Sequence, residues 1–359
     1  MENNFCLKAF VFLGVDPNRP IRKWRVTFNS ALAVWIISLS LCKCYLDRNL
    51  QNIEPISALN IIYVKYLALA IGRKTVKQIL ESKEQFWEVD IVDDEITYLI
   101  QYLKAIDRLY KSSIFLAVSA YTVPPLLSIK SSVFNCFIPE YIPFALFYIV
   151  EIYVIIVGSF VFIYFNIFVC SLIVLAAIQF RLVNFKIRDL SLKEIENDQD
   201  VEMYVRNMKK IIKHQQFLMR YVDELNTILS VPVALLMVTN IPMICITMYN
   251  ATLTGSVLLD QFRTLATILC VLTESFLVYG FPAQVMMDQS EATAETIYSE
   301  CKWHLPKLRH LRNDFLIMMI RSQEGVSIRA ANYHIINNRT VLIIMKTAYT
   351  FYTFMQKVA

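Results

Sequence analysis

The sequence predicts an all-α membrane protein with seven transmembrane helices, a cytosolic N-terminus, an extracellular C-terminus and a helical bundle in the cytosol. Three observations carry this reading. Apolar residues make up 56% of the 359 and charged ones 18%, with a mean hydropathy of +0.46. A soluble chain of this size needs more charge for its surface. Several apolar runs reach the roughly 20 residues that cross about 30 Å of hydrocarbon as a helix. Lys and Arg crowd one set of connections and nearly desert the other.

The first span covers residues 26–44, the second 56–71 with Lys65 inside it, and the third 113–127. The fourth apolar run, 141–180, measures about 60 Å at 1.5 Å per residue, twice a membrane thickness. No polar turn or charge run interrupts it, so it reads as one helix whose lower half enters the cytosol. The fifth span is 228–248, with Pro232 and Pro242, and the sixth is 262–281. The last, 340–354, is short and rich in Tyr and Thr.

Orientation follows from charge. Arg22, Lys23, Arg25, Arg73, Lys74, Lys104, Arg108 and Lys111 fall on one side, with the basic residues of 181–220 and 302–339. The loops of the other side hold Lys43, Arg48 and Lys130. The positive-inside rule then puts the N-terminus in the cytosol. That excludes a G-protein-coupled receptor, whose N-terminus is outside; Asp-Arg-Tyr after the third span and Asn-Pro-x-x-Tyr in the last are also missing.

Residues 187–226 and 286–321 carry apolar residues at helical spacing: Ile211, Ile212, Phe217, Leu218, Val222 and Leu225 in one, and Leu308, Leu311, Phe315, Ile317, Met318 and Ile320 in the other. Both read as helices, the first continuous with the fifth span and the second stopping at Gly325. Their apolar faces must bury on something, and the overlong fourth helix supplies a surface, within one subunit or between subunits. The apolar stretch 5–15 is broken by Lys8 and has no small-residue cleavage site, so it is not a signal peptide. Eight scattered cysteines without a CxxC pair and four histidines without ligand spacing predict no metal site. Without a Walker loop, GxGxxG or GxSxG, no cofactor or enzymatic activity is expected. The chemistry is binding and permeation, with the bilayer and not nucleic acid as a partner.

The C-terminal third carries a resemblance. Tyr279-Gly280, Ser290-Glu291-Ala292, Tyr298, Trp303-His304-Leu305-Pro306, the run from Leu316 to Gln323, and Lys346-Thr347-Ala348-Tyr349-Thr350-Phe351-Tyr352-Thr353-Phe354 resemble the insect odorant receptors. Phe10, Leu13-Gly14-Val15 and Pro17 look like that family's N-terminal motif, and 214–225 like the segment before its fifth span. The resemblance implies a tetrameric, ligand-gated, non-selective cation channel lined by the final helix, with a cytosolic anchor built from helices four to seven. It implies four parts: a cytosolic segment 1–25, a six-helix ligand-binding bundle 26–282, an anchor segment 283–339 and a pore helix 340–359. The chain is shorter than the family's co-receptor and looks like a tuning subunit assembled with it, in the plasma membrane of olfactory neuron dendrites. Gustatory-receptor-like homomeric channels share the architecture and are the nearest alternative. A secondary transporter is a third, disfavoured because no inverted repeats are found.

On that resemblance, Phe354 and Val358 fall at the gate, where a narrow apolar ring closes a pore by dewetting, and Lys357 at its polar position. A Lys there departs from the neutral residue expected. Four copies would oppose cations, which favours a minority subunit in a mixed tetramer. The ligand is a small volatile apolar odorant in the outer halves of helices two to six. The expected walls are Leu59, Ile62, Tyr63, Tyr121, Phe147, Tyr148, Glu151, Ile155, Met237, Met243, Thr267 and Val271. Lys65, Glu151 and Glu274 lie inside predicted spans at similar depths, about 15 to 18 Å below the outer face. Such residues are usually paired or functional. Lys65 is expected to pair with Glu151, or with its rival Glu274; an unpaired Glu151 would face the odorant cavity or water.

Overall fold

The computed structural model describes residues 3–20, 22–47, 53–89, 93–127, 132–134, 136–139, 141–253, 258–303 and 305–358. Readings that fall on Arg48, Lys130 and His304, or on the side chains of Cys6, Pro124, Pro125 and Val358, lie outside the described residues.

Helices occupy all seven predicted stretches. In chain order they are α1 (Asn3–Leu13), α2 (Lys23–Asp47), α3 (Ile53–Ile71), α4 (Arg73–Ser82) and α5 (Asp94–Leu127). They continue with α6 (Phe144–Leu192), α7 (Asp198–Leu253), α8 (Leu258–Leu272), α9 (Phe281–Glu300), α10 (Arg312–Gln323) and α11 (Asn338–Val358). A π-helical segment, Thr273–Gly280, joins α8 to α9, and a two-stranded hairpin (Arg329–Ala330 with His334–Ile335) precedes α11. Among the described residues, four helical stretches are long and apolar enough on their own to cross a membrane: Lys23–Leu46, Phe144–Leu192, Asp198–Tyr249 and Gln261–Glu300. α3 qualifies only together with α4, across a 69° bend. α5 carries charges through its first half, and α11 is diluted by Thr, Tyr and Lys. Large apolar side chains such as Val34, Leu41, Phe115, Ile149, Val231, Val238 and Leu265 stand exposed around the perimeter, where hydrocarbon suits them.

The fourth apolar run is one helix, as expected. It starts at Phe144 because Pro143 sits before it in an extended conformation, and it runs to Leu192, further than its apolar run. Its second half is the axis of the lower bundle: Ile173, Val174, Ala176, Phe180, Leu182, Val183 and Ile187 are all essentially inaccessible. α9, α7, α5 and α1 surround it. The apolar residues of 211–225 and 308–318 pack into this core, so the burial demanded by the sequence is met within one chain. Leu316, Ile317 and Ile320 are the exceptions and stand exposed.

The segment 286–321 is not the single helix its periodicity suggests. α9 ends at Glu300, Cys301 turns extended, and Leu305 stays extended before Pro306, as a residue preceding proline tends to. A 3-10 turn (Pro306–Leu311) then leads into α10, which packs back on α9. The N-terminal motif also acquires a role. Phe10, Leu13 and Val15 are buried, Phe10 meets Phe168 edge-on at 5.4 Å, and Gly14 takes φ +79° to end α1. Tyr66 Oη then donates to the Leu13 carbonyl (3.0 Å) and Arg73 Nε to that of Asp16 (2.8 Å), fastening the N-terminus to α3 and α4.

Candidate odorant-binding site

The Pro-interrupted join between α8 and α9 positions the centre of the site. The Phe281 N–H reaches back five residues to the Phe276 carbonyl. In that register the next donor would be residue 282, but Pro282 has no N–H. The Leu277 carbonyl is therefore orphaned, and Tyr102 Oη of α5 donates to it. π-segments of this kind recur at functional sites. This one presents Glu274 inward.

Glu274 forms a buried ion pair with Lys65 of α3. Asn166 of α6 bridges them: Lys65 Nζ donates to its Oδ1 (3.0 Å), and its Nδ2 donates to Glu274 Oε1 (2.7 Å). Tyr279 Oη donates to the same Oδ1 (2.7 Å), Asn166 Nδ2 reaches Tyr110 Oη of α5, and Lys65 Nζ lies 4.1 Å from the Phe162 ring centroid. Five side chains from α3, α5, α6 and the π-segment thus satisfy one another, as buried charge requires. The expected Lys65–Glu151 pair does not form, and the rival partner takes the lysine.

Glu274 is also the floor of a cavity of about 150 Å³ enclosed by α3, α5, α6, α7 and α8. Of the predicted walls, Leu59, Ile62, Tyr121, Ile155, Met243, Thr267 and Val271 line it together. The Tyr121 and Thr267 hydroxyls, 3.1 Å apart, are polar groups in a mostly apolar lining that also holds Ser159, Asn240 and Glu274. Sequence reasoning missed Ala58, Val118, Ser159, Phe162, Asn240 and Cys270. Small and aliphatic residues announce nothing by type, and helical phase relative to residues 59 and 121 was the available signal.

Five predicted residues lie elsewhere. Phe147 is buried outside the cavity against Trp35, with ring centroids 5.8 Å apart. Tyr63 borders a separate groove toward α2, Tyr148 Oη reaches the Thr122 carbonyl (3.5 Å), and Met237 packs on the main core. Glu151 faces neither the cavity nor water. Because α6 starts at Phe144, Glu151 is only about two turns in, where it accepts from Ser132 Oγ (2.5 Å) and from the Val133 and Phe134 amides (3.1 and 3.3 Å). Ser40 Oγ holds the Phe134 carbonyl (3.0 Å), and the Phe134 side chain closes one side of the cavity. Glu151 is therefore linked to the cavity through this loop.

The last helix touches the same walls. Met243 and Val271 form one apolar cluster with Ile244 and Ala348, the latter on α11 and fully buried, with Met345 packed against it. At its far end Phe354 is 62% exposed and Lys357 exposed, facing away from this chain's own bundle.

The sequence matches the profile of the 7tm odorant receptor family over residues 46–349. The chain belongs to that family. These odorant receptors are receptors and not enzymes. The fold agrees: the chain is similar to the insect olfactory receptor OR5 of Machilis hrabei in complex with eugenol, with a TM-score of 0.79 at 15% identity over 99% of this chain and 97% of that one. A second structure of that receptor aligns with a TM-score of 0.80 at 14% identity, covering 100% and 99%. The odorant receptor described here joins a helical membrane half to a helical lower bundle through α6 and α7, which run through both.

Proposed function

We propose that this chain is the odorant-binding tuning subunit of a heteromeric, odorant-gated, non-selective cation channel assembled with the odorant receptor co-receptor in the plasma membrane of a sensory dendrite. In this reading the N-terminus is cytosolic, residues 1–25 tether it, 26–282 hold the odorant, 283–339 join the anchor and 340–359 line the pore. The observation that carries it is the shared wall: Met243 and Val271 line the cavity and also seat α11 at Ala348. An odorant that moves either side chain changes the packing of the pore helix, and packed cores respond by switching and not by gradual yielding. The exposed Phe354, with Val358, supplies the apolar gate.

The cavity size sets the odorant class. A cavity of about 150 Å³ is the size that holds one benzene ring, so single-ring aromatics, short esters and small terpenoid fragments fit. The Tyr121 and Thr267 hydroxyls favour one alcohol or carbonyl on the ligand. The test is whole-cell current during a panel of such odorants, with eugenol as reference probe, in cells expressing this chain, the co-receptor, or both. Ligand-evoked, poorly selective cation current in the co-expressing cells alone supports the tuning subunit. Current from this chain alone would replace it with a homomeric, gustatory-receptor-like channel.

A further inference from the structure

A fissure of about 290 Å³ runs between α5 and α6 beside the cavity. Ile114, Val118, Ile155 and Ser159 line both spaces. On the far side of the fissure Phe115 and Ile156 stand 75% and 48% exposed on the perimeter, among the side chains that face hydrocarbon. The partition is thus four small or aliphatic side chains on two helices. Its polar member, Ser159, has its hydroxyl proton on the Ile155 carbonyl of its own helix (2.7 Å). The loop side of the cavity differs: Phe134 covers it and is pinned through Glu151 and Ser40.

We infer that the α5–α6 fissure is a lateral portal through which apolar ligands reach the cavity from the acyl-chain region of the bilayer. This rests on the reading of the cavity as the odorant site and adds its access rule: the receptor samples compounds that dissolve in the membrane first. Apolar solutes concentrate in hydrocarbon because transfer out of water is favourable, and a portal opening there exposes the cavity to that concentrated pool. Neutral compounds pass, and permanently charged analogues are excluded however well they fit.

The test reads access without requiring channel opening. Intact cells expressing the chain with the co-receptor are exposed to methyl methanethiolsulfonate, small and neutral, or to its charged trimethylammonium-ethyl analogue. Labelling of Cys270 in the cavity wall, and of a cysteine placed by Ala58→Cys, is followed by peptide mass spectrometry. The neutral reagent should label both sites and the charged one neither. Ile156→Phe, which narrows the fissure without touching the cavity, should slow neutral labelling several-fold; a loosened fold would speed it instead. An unchanged rate in Ile156→Phe, labelling by the charged reagent, or no labelling by either would overturn the portal. Failure of the odorant reading appears separately, as absent currents with labelling intact.

Discussion

A lysine with no accessible surface in the middle of a helical bundle is tolerable only if its charge is met and its protons are bound. Lys65 satisfies both conditions with Glu274, Asn166 and the Phe162 face. Removing one partner leaves a bare buried charge, which costs about 3–5 kcal/mol, whereas replacing both by apolar groups is often neutral. Lys65→Met should therefore sharply lower detergent-extracted, monodisperse receptor on fluorescence-detected size exclusion, and Lys65→Met with Glu274→Met should restore much of it. Equal losses in the single and double variants would sink the pairing argument. Depth along the helices brought all three ionisable residues to notice in the sequence, but depth does not say which way a helix faces, and facing gave Lys65 to Glu274. Glu151 was further misjudged because a loop folding down to a carboxylate leaves no periodic trace. Outside the membrane, the Asp93 carboxylate accepts from Arg181 Nε (2.9 Å) and caps α5 by accepting from the Glu95 amide (3.0 Å). The Arg181 hydrogen bond holds its pKa below the usual carboxylate range. A lowered folded-state pKa stabilises above the unfolded value, and that contribution is lost as pH falls through the folded one. The melting temperature in detergent should accordingly drop on acidification below about pH 4, and Asp93→Asn should flatten that limb.

At the scale of elements, the π-segment Thr273–Gly280 has a local cause in Pro282 and a remote repair in Tyr102. Tyr102→Phe keeps the ring against Phe281 (centroids 4.8 Å apart) and removes only the hydroxyl. An unsatisfied buried carbonyl costs about 1–3 kcal/mol, so this variant should melt at a lower temperature, with faster amide exchange across 273–282 than elsewhere. Exchange that rises uniformly would argue against a local repair. Apolar run length located the spans, and helical spacing located the lower bundle. The same spacing continued through 301–311, where Leu305-Pro306 breaks the helix, because apolar periodicity is indifferent to whether the backbone donor exists. The π-segment was illegible for the same reason: eight residues wound five to a bond keep an apolar pattern much like that of an α-helix.

For the whole molecule, the decisive feature is that α6 and α7 run through both halves, about 74 and 84 Å long at 1.5 Å per residue. They make the lower bundle and the cavity wall parts of the same rods. The general location of the cavity was legible from the resemblance, and seven wall residues followed from it. The rest depended on helix rotation and on the break before α6, which the sequence leaves open by several residues. In the channel proposed above, one Lys357 at the pore mouth would lower the local cation concentration, and screening would limit the effect to about a Debye length of 10 Å. Lys357→Gln should raise the single-channel cation conductance of the mixed tetramer. Unchanged conductance and selectivity would remove Lys357 from the pore.

The double duty of Met243 and Val271 also bears on how such receptors diverge. In the channel proposed above, a substitution at either residue that retunes the cavity for a new scent would also alter the seat of Ala348, and with it the resting open probability. Selection for a new ligand then meets selection for a quiet baseline at the same two codons. Lineages that shift preference there are expected to carry a second change at Ala348 or Met345 that restores silence.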